Sequence, residues 1–217
     1  MIPLLVVLTL PQMPDSGVLV IRQDSTLVAR ESFHIGADPT GGGWILDANV
    51  RYDRGRPVVQ LTPIVQVGRD TSVVKVQFDA GDPTSPMHIL GQLGRHRFTL
   101  RYVSRTQERA RELPDPGHSV IVDDSVFSLF TAVAWLAQGA GASVTAIFPR
   151  AGVAETWTVR DQSLASTTVN GAPVQLRLIT ALGARLGTVR IWMDPAGRLA
   201  KVEIPRLHLT AERAPGR

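Results

Sequence analysis

The run Thr188-Val-Arg-Ile-Trp-Met-Asp-Pro-Ala-Gly-Arg-Leu-Ala-Lys-Val-Glu-Ile204 decides the fold. Val189, Ile191 and Met193 alternate with Thr188, Arg190 and Trp192, and after Asp194-Pro-Ala-Gly197 the segment Arg198–Ile204 is largely period two again. Alternation at 180° per residue marks strands with one face in a core and one in water. An Asp-Pro-x-Gly tetrapeptide suits a type I turn closed by a left-handed glycine, a common hairpin connection. Just upstream, Val174, Leu176 and Leu178 share one face while Gln175 and Arg177 take the other. The stretch Val174–Arg213 therefore specifies strands joined by tight turns in an antiparallel sheet that is wet on one side.

The same signal extends towards the N-terminus. Gly17–Gln23 and Thr26–Ile35 read as a hairpin around Asp24-Ser25. Trp44, Leu46, Ala48, Val50 and Tyr52 alternate with polar neighbours, and Val74, Val76 and Phe78 oppose Lys75, Gln77 and Asp79. Pro63, inside Val58–Val67, suggests an edge position or a bulge. Met87–Leu93 fits a helical turn or irregular structure. Arg95–Arg105 reads as a strand with His96, Phe98, Leu100 and Tyr102 on one side, and Gln107–Leu113 continues the sheet after a turn.

One helix stands out, Val126–Gln138, entered through Asp123-Asp124-Ser125, where Asp or Ser is a good N-cap. Val126, Phe127, Leu129, Phe130, Val133, Trp135 and Leu136 leave it almost no polar face, and such a helix must be buried. The fold expected is mainly β: an extended curved antiparallel sheet, a half-barrel, wrapping one buried helix at 126–138. Residues 17–213 form a single β-rich domain. The uncharged stretch Val126–Phe148 reads as this helix, a turn at Gly139-Ala-Gly141 and a strand Ala142–Phe148; a membrane span is the alternative.

The composition is that of a globular chain, 217 residues with 44% hydrophobic and 19% charged side chains. Net charge is +4, and all but two of the 23 basic residues are arginine. A GC-rich genome produces that bias without selection for binding, and with only 6% aromatic residues the chain lacks the stacking rings of a nucleic-acid binder. The absence of cysteine excludes disulfides, thiolate metal sites and Cys nucleophiles. Residues 1–16 begin with an apolar run, Ile2–Leu10, of the size of a secretory signal core, which points to the periplasm or cell envelope; an ordinary N-terminal strand is the competing reading.

Catalytic signatures are missing. His34, His88, His96, His118 and His208 form no metal-binding pattern; Glu31-Ser-Phe-His34 has Glu-x-x-His spacing but lies in a strand, where i and i+3 face opposite ways. Neither a Gly-x-Ser-x-Gly elbow nor a dinucleotide loop is present. No cofactor is implied. Asp123-Asp124 could bind a cation or share a proton, but one capping carboxylate beside one solvated carboxylate explains both. Arg95, Arg97, Arg101, Arg105, Arg109 and Arg111 share odd parity and would make a basic stripe if the chain stayed extended; a turn at Ser104–Gln107 would break it.

The element order, and most locally Arg190-Ile-Trp-Met-Asp-Pro-Ala-Gly-Arg-Leu-Ala-Lys-Val-Glu-Ile204, resembles the lipoprotein-carrier-like proteins of bacterial cell envelopes. The resemblance implies an unclosed barrel whose concave face holds helices and, in the carriers, an acyl chain. The expected function is accordingly non-enzymatic binding of an apolar ligand, a lipid or acyl chain; Trp44, Phe98, Phe127 and Phe130, on apolar faces of the expected strands and helix, would line it with Trp192, which shares parity with Arg190. One alternative is an interaction subunit docking a membrane surface or protein complex through its concave or basic face, which would expose an apolar patch. The other is a hydrolase with titratable residues gathered in a cleft.

Overall fold

The computed structural model describes residues 14–53, 59–115, 117–137 and 141–216. The apolar run at 1–13 and Gln138, at the end of the expected helix, lie outside the described residues. Among the described residues fifteen strands form one open, curved sheet. They are β1 (Asp15–Gln23), β2 (Thr26–Ala37), β3 (Trp44–Tyr52), β4 (Val59–Val67), β5 (Val73–Gly81), β6 (Met87–Leu93), β7 (Arg97–Val103) and β8 (Glu108–Pro114), then β9 (Ser119–Ile121). After helix α1 (Phe130–Leu136) come β10 (Ala142–Phe148), β11 (Val153–Val169), β12 (Ala172–Gly183), β13 (Gly187–Met193), β14 (Leu199–Ile204) and β15 (Leu209–Arg213).

The spatial order is β8-β7-β6-β5-β4-β3-β2-β1-β15-β14-β13-β12-β11-β10-β9. Two meanders are thus joined where the first and last strands pair, Leu19 opposite Arg213 and Ile21 opposite Ala211. All ladders are antiparallel except β9 with β10, because α1 provides the crossover that a parallel pair requires. The decisive hairpin forms as its sequence dictates: Gly197 is left-handed at φ +76°, its N–H donates to Asp194 O at 2.9 Å, and Asp194 N–H donates to Arg198 O.

Inward residues of nearly every strand, with α1, make one continuous apolar core. Phe130 stacks on Trp157 with centroids 6.3 Å apart and touches Phe127, and Phe148 meets Trp157 edge-on. The sheet does not close, but it curls far: β9 returns against β5, and the Tyr102 hydroxyl of β7 donates to Pro149 O between β10 and β11.

Several local expectations change. The helix is Phe130–Leu136, shorter than 126–138, and Val126 instead bridges back to Asp123. Met87–Leu93 is a strand, β6, with Ile89 and Gly91 inward. Pro63 lies at the centre of the β1–β8 half of the sheet, and β3–β4 pairing skips it between Ile64 and Leu61, since proline has no N–H for the ladder. Val74 points to solvent because a bulge opposite Gln66/Val67 shifts parity at the start of β5. No described helix is long and apolar enough to cross a membrane.

A second, small apolar cluster sits on the outer face. The β11–β12 hairpin arm bends back over β13 to β15, so that Leu176 packs on Trp192 and Ala200. At its tip the Asn170 N–H donates to Glu212 at 3.1 Å and the Asn170 side chain to Arg213 O. Beneath the arm Lys201 is buried, donating to Thr168 O at 2.9 Å and paired with Glu203 and Glu212.

Candidate functional site

The five residues expected to line a ligand cavity do not form one. Phe98, Phe127 and Phe130 are fully buried in the main core, and Phe98 lies directly over Gly91, where a Cβ would sit 2.6 Å from its ring. Trp192 lies on the opposite face of the sheet, under the arm, as its shared parity with Arg190 requires. Trp44 is half-buried and leans on Trp135, with centroids 6.0 Å apart.

The basic stripe is broken at the Ser104–Gln107 turn. Register across β7 and β8 pairs odd with even residues, Arg101 opposite Ala110 and Tyr102 opposite Arg109. Arg97 and Arg101 therefore share the outer face with Glu112 and Glu108 and pair with them, while Arg109 turns inward over the Tyr102 ring.

Behind the helix lies a buried polar cluster. Glu31 on β2 shares parity with Ala29, Phe33 and Ile35, so it points into the core and is wholly buried. Its carboxylate accepts the N–H of Phe127 at 2.7 Å and of Ser128 at 2.8 Å, while the Ser128 hydroxyl sits beside it without forming a well-shaped hydrogen bond. Burial is the largest influence on this group and pushes its pKa up to about 7, against the pull of those donors. Asp123 is not a helix cap. It is buried and grips Arg150 through both oxygens, at 2.8 and 2.6 Å; Arg150 also reaches Asp124 at 2.8 Å. Burial raises the Asp123 pKa despite that partner. The Tyr52 hydroxyl donates to Ser125 O at 2.9 Å.

This cluster ties β2, β3 and the β10–β11 turn to the segment entering α1. Glu31 is sealed from solvent, so it has no route to a substrate for acid–base work. Among the described residues no group of three His, Asp or Glu is placed to hold a metal ion.

A cavity of about 500 Å³ opens at the other end of the helix. Its apolar side is Trp135 and Leu136 in the last turn of α1, with Val144 of β10; its rim carries Arg69, Asp70 and Thr71 from the β4–β5 turn and His118 before β9. Two rim residues, Thr71 at φ +65° and His118 at φ +50°, adopt the left-handed region. For a β-branched threonine that is a strained conformation, of a kind that gathers at binding sites. Sequence reading identified Trp135 only as a large ring with a packing role. Nothing in the spacing of Arg69, Thr71 and His118 signals that curvature brings them together.

Comparison of the chain with protein-family models, curated proteins and solved structures finds no match.

Proposed function

We propose that this is a non-enzymatic binding protein that admits the apolar chain of a small amphipathic molecule to the mouth cavity, beside Trp135. The cavity itself carries the reading: it falls within the roughly 300–1,000 Å³ typical of ligand sites and sets an apolar wall under a polar, strained rim. Relative to the expectation from sequence, the ligand moves from the middle of the half-barrel to its mouth, because side chains already fill the middle.

An interaction subunit is less well supported. Exposed apolar residues such as Ile64 and Leu90 are separated by polar ones, with Gln77 between them in register, which makes no contiguous patch. A cell-envelope setting remains part of the proposal, and cell fractionation tests it.

The test is titration with dodecyl-chain probes, followed by Trp fluorescence and calorimetry. Ser143 is exposed on the cavity wall, so Ser143→Trp fills the space without entering the core. Binding should be saturable in the wild type and at least about tenfold weaker in Ser143→Trp, a change of about 1.4 kcal/mol, with an unchanged melting temperature. Equal affinity in the two proteins would place the ligand elsewhere.

A further inference from the structure

We infer that the mouth cavity selects amphiphiles with an anionic head, a carboxylate or phosphate held by Arg69 with His118 across the rim. This rests on the cavity being the ligand site. The reason lies in how Arg69 is built into the rim.

Half-buried arginines such as Arg150, Arg177 and Arg213 are held by Asp123, Asp161 and Asp15, whereas Arg69 is exposed. Arg69 is positioned by other means. A Cβ on Gly42 would lie 2.5 Å from its Nη2, 2.6 Å from its Nε and 3.0 Å from its Cζ, so the Nε–Nη2 edge of the guanidinium is turned towards the glycine. Gly42, at φ +69°, supplies both the space and the left-handed turn.

The loop beneath is itself fixed. Asp38 is buried and accepts the Thr40 N–H at 2.8 Å, the Thr40 hydroxyl at 2.7 Å and the Gln66 amide, while its own N–H donates to Gly43 O. The result is a guanidinium oriented by packing, exposed, and without a carboxylate partner among the described residues. Its neighbour Asp70 also lines the cavity and is exposed, one carboxylate oxygen accepting the Ser72 N–H at 3.1 Å.

With its Nε–Nη2 edge against Gly42, the planar guanidinium has its Nη1–Nη2 end left to match the paired oxygens of a carboxylate or phosphate. His118, exposed just before β9, lines the same cavity and has a ring N–H able to donate a second hydrogen bond. The apolar wall of Trp135, Leu136 and Val144 then takes the chain attached to that head.

Three probes of one chain length separate the possibilities: laurate, dodecyl phosphate and dodecanol, each below its micellar concentration. Wild-type protein should bind at least one anionic probe about tenfold tighter than dodecanol, the size of one charge-assisted hydrogen bond. Whichever anion binds tighter identifies the head group. Arg69→Gln should erase that preference and leave dodecanol affinity unchanged. Equal affinity for all three probes, or an equal loss for all three in Arg69→Gln, overturns head-group selection while leaving the cavity as a binding site. Failure of every probe to bind saturably overturns both.

Discussion

Replacing Glu31 by glutamine should change the pH dependence of stability more than stability itself. The Glu31 carboxyl moves from 4.5 to about 7 on folding, chiefly through burial. At about 1.4 kcal/mol per unit this is about 3 kcal/mol. The folded state holds the proton more tightly than the unfolded chain, so the contribution is fully present below pH 4.5 and is lost as pH rises through about 7. An amide in place of the carboxyl cannot titrate. It also removes one of the two N–H acceptors, an offset of about 1–3 kcal/mol that does not vary with pH.

The measurement is urea denaturation of both proteins across that window, taking the difference in unfolding free energy at each pH. Asp123, which burial also raises, titrates in both proteins and cancels to first order in the difference. Tyr52, pushed up by burial and by Glu31, titrates above the window, and Arg150 stays charged throughout. Wild-type stability relative to Glu31→Gln should fall by about 3 kcal/mol between pH 4.5 and 7.5. Parallel profiles would refute the reasoning and mean that the two backbone donors hold Glu31 ionised at all these pH values.

Two further outcomes follow from packing. Phe130→Ala removes a fully buried ring stacked on Trp157 and should cost about 3–5 kcal/mol by denaturant midpoint; an unchanged midpoint would show that α1 is not core. Lys201→Ala removes the cation between Glu203 and Glu212 beneath the arm, which keep Arg190 and Arg22 respectively, and should cost about 1–3 kcal/mol. Amide exchange should accelerate specifically at Thr167–Asn170, and uniform acceleration throughout the sheet would contradict local docking of the arm.

The sheet was legible because period two survives wherever a strand has one wet face, as in Val189–Met193 and Trp44–Tyr52. It failed at Val74, where a bulge changes parity, and at Met87–Leu93, where Gly91 stands on the inward face because Val76, Phe98 and Leu100 leave no room for a larger side chain. Glu31 was readable in principle. It is an acid on the apolar parity of β2, and an inward acid demands a partner. That partner lies about a hundred residues away in the backbone of Phe127 and Ser128, which no local pattern announces. Those amides lie just ahead of α1, where N–H groups have no partner within a helix, so the Glu31 carboxylate anchors the entry to it. Lys201 has outward parity, and its burial is created by the arm, a tertiary event.

The sequence contains few large rings, and a wide half-barrel with few rings demands a ligand in its middle only if the sheet keeps its width. It does not: β9 turns back against β5, and the shrunken concavity is filled by Phe127, Phe130, Phe148 and Trp157. Close-packed interiors leave no room for a chain to thread between such rings without displacing them. Space survives where the lining is turn rather than strand, at the β4–β5 hairpin and the approach to β9, next to the last turn of α1. Helix α1 connects the two sites, because Glu31 anchors the segment that enters it while Trp135 at its far end walls the cavity. If ligand in the cavity tightens that helix, the melting temperature should rise with ligand concentration, as any ligand preferring the native state requires. The rise should vanish in Ser143→Trp and persist in Glu31→Gln.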